Sequence, residues 1–88
     1  CGVFKMNIGY EVVYNNVFDE RCKGSILNVM SDMDSYEEMR LEDGVPLYYS
    51  KKLKKFVPVK PKNMESVFLE IFRGHNTYLD YVRISDVV

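Results

Sequence analysis

Phe4, Met6, Ile8, Tyr10, Val12 and Tyr14 take every second position near the start of the chain, separated by Lys5, Asn7, Gly9, Glu11 and one apolar exception, Val13. Side chains on an extended backbone point to alternate sides, so this period of two predicts a long strand with one buried face and one largely wet face. Asn15 and Asn16 follow, and their short amides bond to the local backbone and tolerate left-handed conformations. The strand is expected to end there.

Shorter units of the same kind fill the rest of the chain. Residues 19–24 read as a polar loop. In residues 25–30, Ile26, Val29, Met30 and Met33 fit helical spacing, while the bounding Gly24 and Ser31-Asp32 fit a short strand, which is the preferred reading. Residues 38–42 alternate and run into Asp43-Gly44, a strong turn dipeptide. The rival there is a short helix capped by Ser35, with Glu38 at capping-box spacing, and it lacks an apolar stripe.

Residues 47–49 and 56–59 predict two strands joined by a lysine-rich connection. Pro58 has no amide hydrogen for a ladder, which places it at a sheet edge or a bulge. Residues 58–63 are expected to be extended and exposed, the best candidate for an internal hinge. Residues 67–73 and 78–84 predict a hairpin around Gly74-His75-Asn76-Thr77. No repeat is visible.

A chain of 88 residues has room for one domain, here residues 1–88, and its 47% apolar and 28% charged content is that of a globule. The expected fold class is mainly β, a small barrel or β-meander of about six short strands, with room for one short helix. The stability margin of such a short chain is expected to be thin. Gly24-Ser25-Ile26-Leu27-Asn28-Val29, then Arg40-Leu41-Glu42-Asp43-Gly44, then Tyr81-Val82-Arg83-Ile84-Ser85-Asp86-Val87 resembles SH3-like and Tudor-like barrels. In those folds a glycine opens the second strand, an acidic-glycine turn joins the middle strands and a short segment closes the barrel. The resemblance implies the SH3-like barrel form of the fold and no specific ligand. Tudor-like domains that hold methylated side chains use an aromatic cage, for which Tyr48, Tyr49 and Tyr81 supply rings without a spacing that identifies one.

Several kinds of chemistry lack their parts. Cys1, Cys22 and His75 are too few and too scattered for a structural metal, and two cysteines make no disulfide framework. Cys1 is read as a cloning remnant with Met6 as the natural start, as the cut end of a larger chain, or as a lipidated cysteine. Asp32-Met33-Asp34-Ser35-Tyr36 opens like a calcium loop, but Glu37 stands where the loop needs glycine and Asp43 where it needs glutamate. Cys1-Gly2-Val3-Phe4 is similar to the opening of class II glutamine amidotransferases over those four residues alone, without that family's length, and is read as chance. His75 has no nucleophile partner in sequence, Glu11, Glu70 and Asp80 are ordinary strand acids, and no glycine-rich phosphate loop is present. The chain is therefore expected to be no enzyme, with no catalytic residue, cofactor or metal; a fragment of a larger enzyme is the third class kept. No apolar run approaches the roughly 20 residues of a membrane span, so no membrane and a cytoplasmic location are expected.

Net charge is −1, but the charges are segregated. Asp32, Asp34, Glu37, Glu38, Glu42 and Asp43 stand against Arg40 alone, and Lys51, Lys52, Lys54, Lys55, Lys60 and Lys62 follow with no acid between them. The candidate binding residues are Tyr48, Tyr49, Lys51, Lys52, Lys54, Lys55, Phe56 and Lys60, where positive charge and rings interleave. The leading expectation is an interaction module, regulator or inhibitor that binds a protein partner with an acidic surface, to which seven tyrosines are well suited. The alternative is single-stranded nucleic-acid binding through residues 48–62, lysines on phosphates and bases on rings. The plainer reading is a solvated hairpin tip whose tyrosines pack inward and whose lysines protect a sheet edge.

Overall fold

A computed structural model describes residues 6–74 and 79–88. The expected strand start at Phe4, the readings of Cys1, and His75 with most of the last hairpin's turn lie outside the described residues. Among the described residues there are seven strands: β1 Glu11–Asn15, β2 Arg21–Ser31, β3 Met39–Glu42, β4 Val45–Ser50, β5 Lys55–Pro58, β6 Val67–Phe72 and β7 Leu79–Val82. Short 3₁₀ turns occupy Asp34–Tyr36, Pro61–Ser66 and Ile84–Asp86. The fold is mainly β, as expected, in two antiparallel sheets ordered β1-β2-β6-β7 and β3-β4-β5, which do not close into a barrel among the described residues.

β2 organises the larger sheet. It pairs with β1 through Val12↔Gly24 and with β6 through Ile26↔Ile71. A Cβ at Gly24 would lie 2.6 Å from Ile71 Cγ2 and 2.7 Å from the Phe72 carbonyl, so only glycine lets β2 approach β6 this closely. The polar loop expected at 19–24 is therefore shorter: Arg21 to Gly24 belong to the strand, because β1 needs them as pairing partners. Residues 25–30 are strand, as preferred. The helix-like spacing of Ile26 and Val29 has a specific cause, a bulge between Ile26 and Asn28 that turns both side chains inward and leaves Leu27 exposed.

The first strand is the main correction. β1 begins only at Glu11, and Ile8 and Tyr10 are exposed, although Met6, Val12 and Tyr14 are buried as the alternation requires. Gly9 has φ +93° and breaks the pleat; Tyr10 N–H donates to the Asn7 carbonyl at 3.1 Å, closing a turn. That turn diverts the preceding residues to the smaller sheet, where the Met6 carbonyl accepts from Gly44 N–H at 2.9 Å and Asn7 Oδ1 from Asp43 N–H at 2.9 Å.

Asp43 and Gly44, at φ 50° and 84°, form the left-handed two-residue turn their dipeptide announces. Pro58 lies on the edge strand β5 opposite Leu47, as expected. The hinge expected at 58–63 is largely exposed, but it is extended only as far as Lys60. Val59 is buried and donates to the Pro46 carbonyl at 3.0 Å, and Pro61, whose fixed φ suits a helical first turn, starts a 3₁₀ turn. The turn at Asp34–Tyr36 has Met33 as its N-cap residue and no side-chain cap, so Ser35 does not cap a helix.

One apolar cluster joins the sheets. Tyr14, Ile26, Val67, Leu69 and Ile71 are its fully buried members, with Tyr36, Leu41 and Val59 added from the second sheet and its approaches. The edges of the larger sheet bend toward each other. Val87 bridges Tyr14, Val88 N–H donates to the Val13 carbonyl at 2.8 Å, and the Tyr14 hydroxyl donates to Asp80 on β7. Among the described residues no helix is long and apolar enough to cross a membrane.

Candidate functional site: a lysine-bearing hairpin beside an acidic wall

The β4–β5 hairpin is built by Ser50. Its carbonyl accepts from Lys54 N–H at 2.7 Å and its hydroxyl from Leu53 N–H at 3.1 Å, while Lys54 takes the left-handed φ of 56° that closes the turn. Lys51, Lys52, Lys54 and Lys55 are thereby held exposed around one tip, and Lys60 is exposed just beyond β5. Among the described residues the ion pairs are Lys23–Glu11 at 3.6 Å and Arg73–Asp80 at 3.8 Å, so none of these five ammonium groups has an ion-pair partner among them.

The two charged stretches of the sequence meet in space. A cleft of about 320 Å³ is lined by Asp34, Glu37 and Glu38 together with Lys51, Lys52 and Tyr48.

The candidate rings do not form one platform. Tyr48 and Tyr49 are successive strand residues and face opposite sides of β4. Tyr48 turns inward and stacks on buried Tyr36, with centroids 4.1 Å apart and planes at 23°. Tyr36 is itself fixed by Asn63, whose amide donates to its hydroxyl at 2.8 Å. Tyr49 turns outward and meets Phe56 edge-on at 5.4 Å, and the Arg40 guanidinium lies 4.3 Å from the Phe56 centroid. Tyr81, the third ring of the supposed cage, is on β7 in the other sheet and donates to Glu70 at 2.9 Å. The cage is not assembled.

The strand acids are likewise engaged. Glu70 accepts from Tyr81, and Asp80 accepts from Tyr14 and lies beside Arg73. Burial first, and the Asp80 hydrogen bond second, push the Tyr14 phenol well above its ordinary range. Cys22 is a half-buried free thiol, and among the described residues no group of three or more acidic, histidine or cysteine side chains is placed to hold a metal ion.

Two residues without a role in the sequence reading are prominent here. Val17 and Phe18, on the turn between β1 and β2, are 85% and 78% exposed, the highest values for large apolar side chains among the described residues. The sequence signal was present: two bulky apolar residues between the turn formers Asn16 and Asp19, where nothing adjacent can bury them. No protein-family model, curated protein or solved structure matches the chain.

Proposed function

We propose that this domain is a non-catalytic module that binds a protein partner through an acidic surface, with Lys51, Lys52, Lys54 and Lys55 as the contact. The observation that supports the reading is the set of exposed lysines on one hydrogen-bonded turn: the backbone is already ordered, so association has only their side chains to fix, and their charge steers an acidic partner. The ring geometry favours protein over single-stranded nucleic acid. One face of Tyr48 is covered by Tyr36, Arg40 lies over Phe56, and Tyr48 and Tyr49 are on opposite sides of the strand, so bases find no continuous stack.

Fluorescence anisotropy tests this with a labelled Glu/Asp-rich peptide, single-stranded RNA and single-stranded DNA, each at about 50 and 200 mM salt. The expected result is peptide binding that weakens with salt and is lost in a Lys51→Glu/Lys52→Glu variant. Both positions are exposed, so the double change should alter stability by no more than about 0.5 kcal/mol per site. Nucleic acid bound more tightly than the peptide would replace this reading with the alternative, and no binding to any probe would leave the turn as a solvated tip.

A further inference from the structure

The turn at residues 16–20 is constructed to hold Val17 and Phe18 out of the protein. Asn16 Oδ1 accepts from Phe18 N–H and Glu20 N–H, both at 2.9 Å, and its amide donates to Glu20 Oε1 at 3.2 Å. Asp19 N–H donates to the Asn16 carbonyl at 3.0 Å, Asn16 N–H to the Glu20 carbonyl at 2.9 Å, and Asp19 takes a left-handed φ of 60°. An apolar tip fixed this firmly exposes Val17 and the Phe18 ring at a standing cost in hydration.

Val17 and Phe18 form one wall of an open cleft of about 280 Å³ whose other wall carries Arg73, Leu79, Asp80 and Tyr81. Its volume exceeds the roughly 150 Å³ that holds a benzene, although its lining is partly charged. Leu79 and Tyr81 are 38% and 51% exposed, and β7 is an edge strand that pairs, among the described residues, with β6 alone. Projection and recess thus share one face. Asp19 and Glu20 sit on the projection, while the recess carries Arg73, its side chain 42% exposed and only loosely paired at 3.8 Å with the less exposed Asp80, which leaves its guanidinium open to a further carboxylate.

Two-fold association needs a patch that complements itself, each copy offering what the other lacks. We propose that this face is the contact between two copies of the chain, with Phe18 of each seated in the β7 cleft of the other and the acidic turn meeting Arg73. An anionic membrane is the poorer occupant, because acids flank the apolar tip where membrane-lying segments carry lysine and arginine. The pairing does not depend on the lysine hairpin, which lies in the other sheet.

Sedimentation equilibrium of the whole chain, from about 10 µM to about 1 mM, tests the proposal. The average mass is expected to rise from 10.3 kDa toward twice that value. Phe18→Ser should weaken the dimer by about tenfold or more, as expected for a central aromatic anchor. Arg73→Glu should weaken it as well, whereas Leu53→Ser, an equally apolar change on the β4–β5 turn, should leave it unchanged. Lys51→Glu/Lys52→Glu should also leave it unchanged, so failure here and failure of the lysine contact are read separately. A mass of 10.3 kDa at every concentration, a dimer indifferent to Phe18→Ser, or Phe18-dependent binding of a monomeric chain to phosphatidylcholine/phosphatidylserine vesicles would overturn the proposal. Phe18 is 78% exposed, and an unchanged circular dichroism spectrum confirms that its variant is folded.

Discussion

Tyr14 is fully enclosed, yet its hydroxyl needs a partner, and Asp80 accepts from it across 66 residues of sequence. Tyr14→Phe keeps the ring and removes the donor, leaving a half-buried carboxylate with Arg73 as its remaining neighbour. The variant should be less stable by about 1–2 kcal/mol, read from urea unfolding at neutral pH. The same group makes stability depend on alkaline pH. The phenol's pKa is raised in the folded state, chiefly by burial and then by Asp80, so the native chain keeps a proton that the unfolded chain loses above a pH of about 10. This contribution is whole below that pH and falls away above it. Urea midpoints at about pH 8 and pH 11 should therefore drop more for the wild type than for Tyr14→Phe. The alternation of the first strand announced that Tyr14 would be buried. It said nothing of Asp80, because a strand period reports a face and not a partner.

The elements that were legible in sequence are those governed by neighbours a few residues apart. Asp43-Gly44 needs two left-handed residues and supplies them; Pro58 lacks a donor and sits on an edge; the strand expected at 67–73 is β6, one residue shorter at Phe72. The misread elements have equally local causes that pattern alone conceals. Gly9, at positive φ, breaks the pleat so that the first strand starts only at Glu11, whereas the bulge after Ile26 explains the helix-like spacing of a segment whose preferred reading, strand, holds. The β1–β2 turn carries its own prediction. Asn16→Ala removes four side-chain hydrogen bonds, one of them a long contact to Cys22 Sγ, and it should cost about 1–2 kcal/mol in urea unfolding. It should also weaken self-association without touching Phe18, because a loosened turn must be ordered again on binding. Sedimentation equilibrium of the Asn16→Ala variant checks this second effect.

At the scale of the whole molecule, one small core serves two sheets, so its loss is not confined to one of them. Leu69 is fully buried on β6 between β2 and β7, and Leu69→Ala should cost about 2–5 kcal/mol. A chain of 88 residues holds few such side chains, so that cost takes much of its stability, and thermal unfolding should begin well below the wild-type midpoint. The sequence by itself determined that the chain is mainly β, where most strands and turns fall, and which stretch carries unopposed lysines, because pleat, turn angle and charge are local properties. Only the tertiary structure decided that the acidic segment walls the lysine cleft, that Tyr14 finds Asp80, that β2 pairs with β6, and that Val17 and Phe18 stand beside an open slot. Each of these depends on which distant segments share the core, and packing of the whole chain selects that partnership where no nearby residue encodes it.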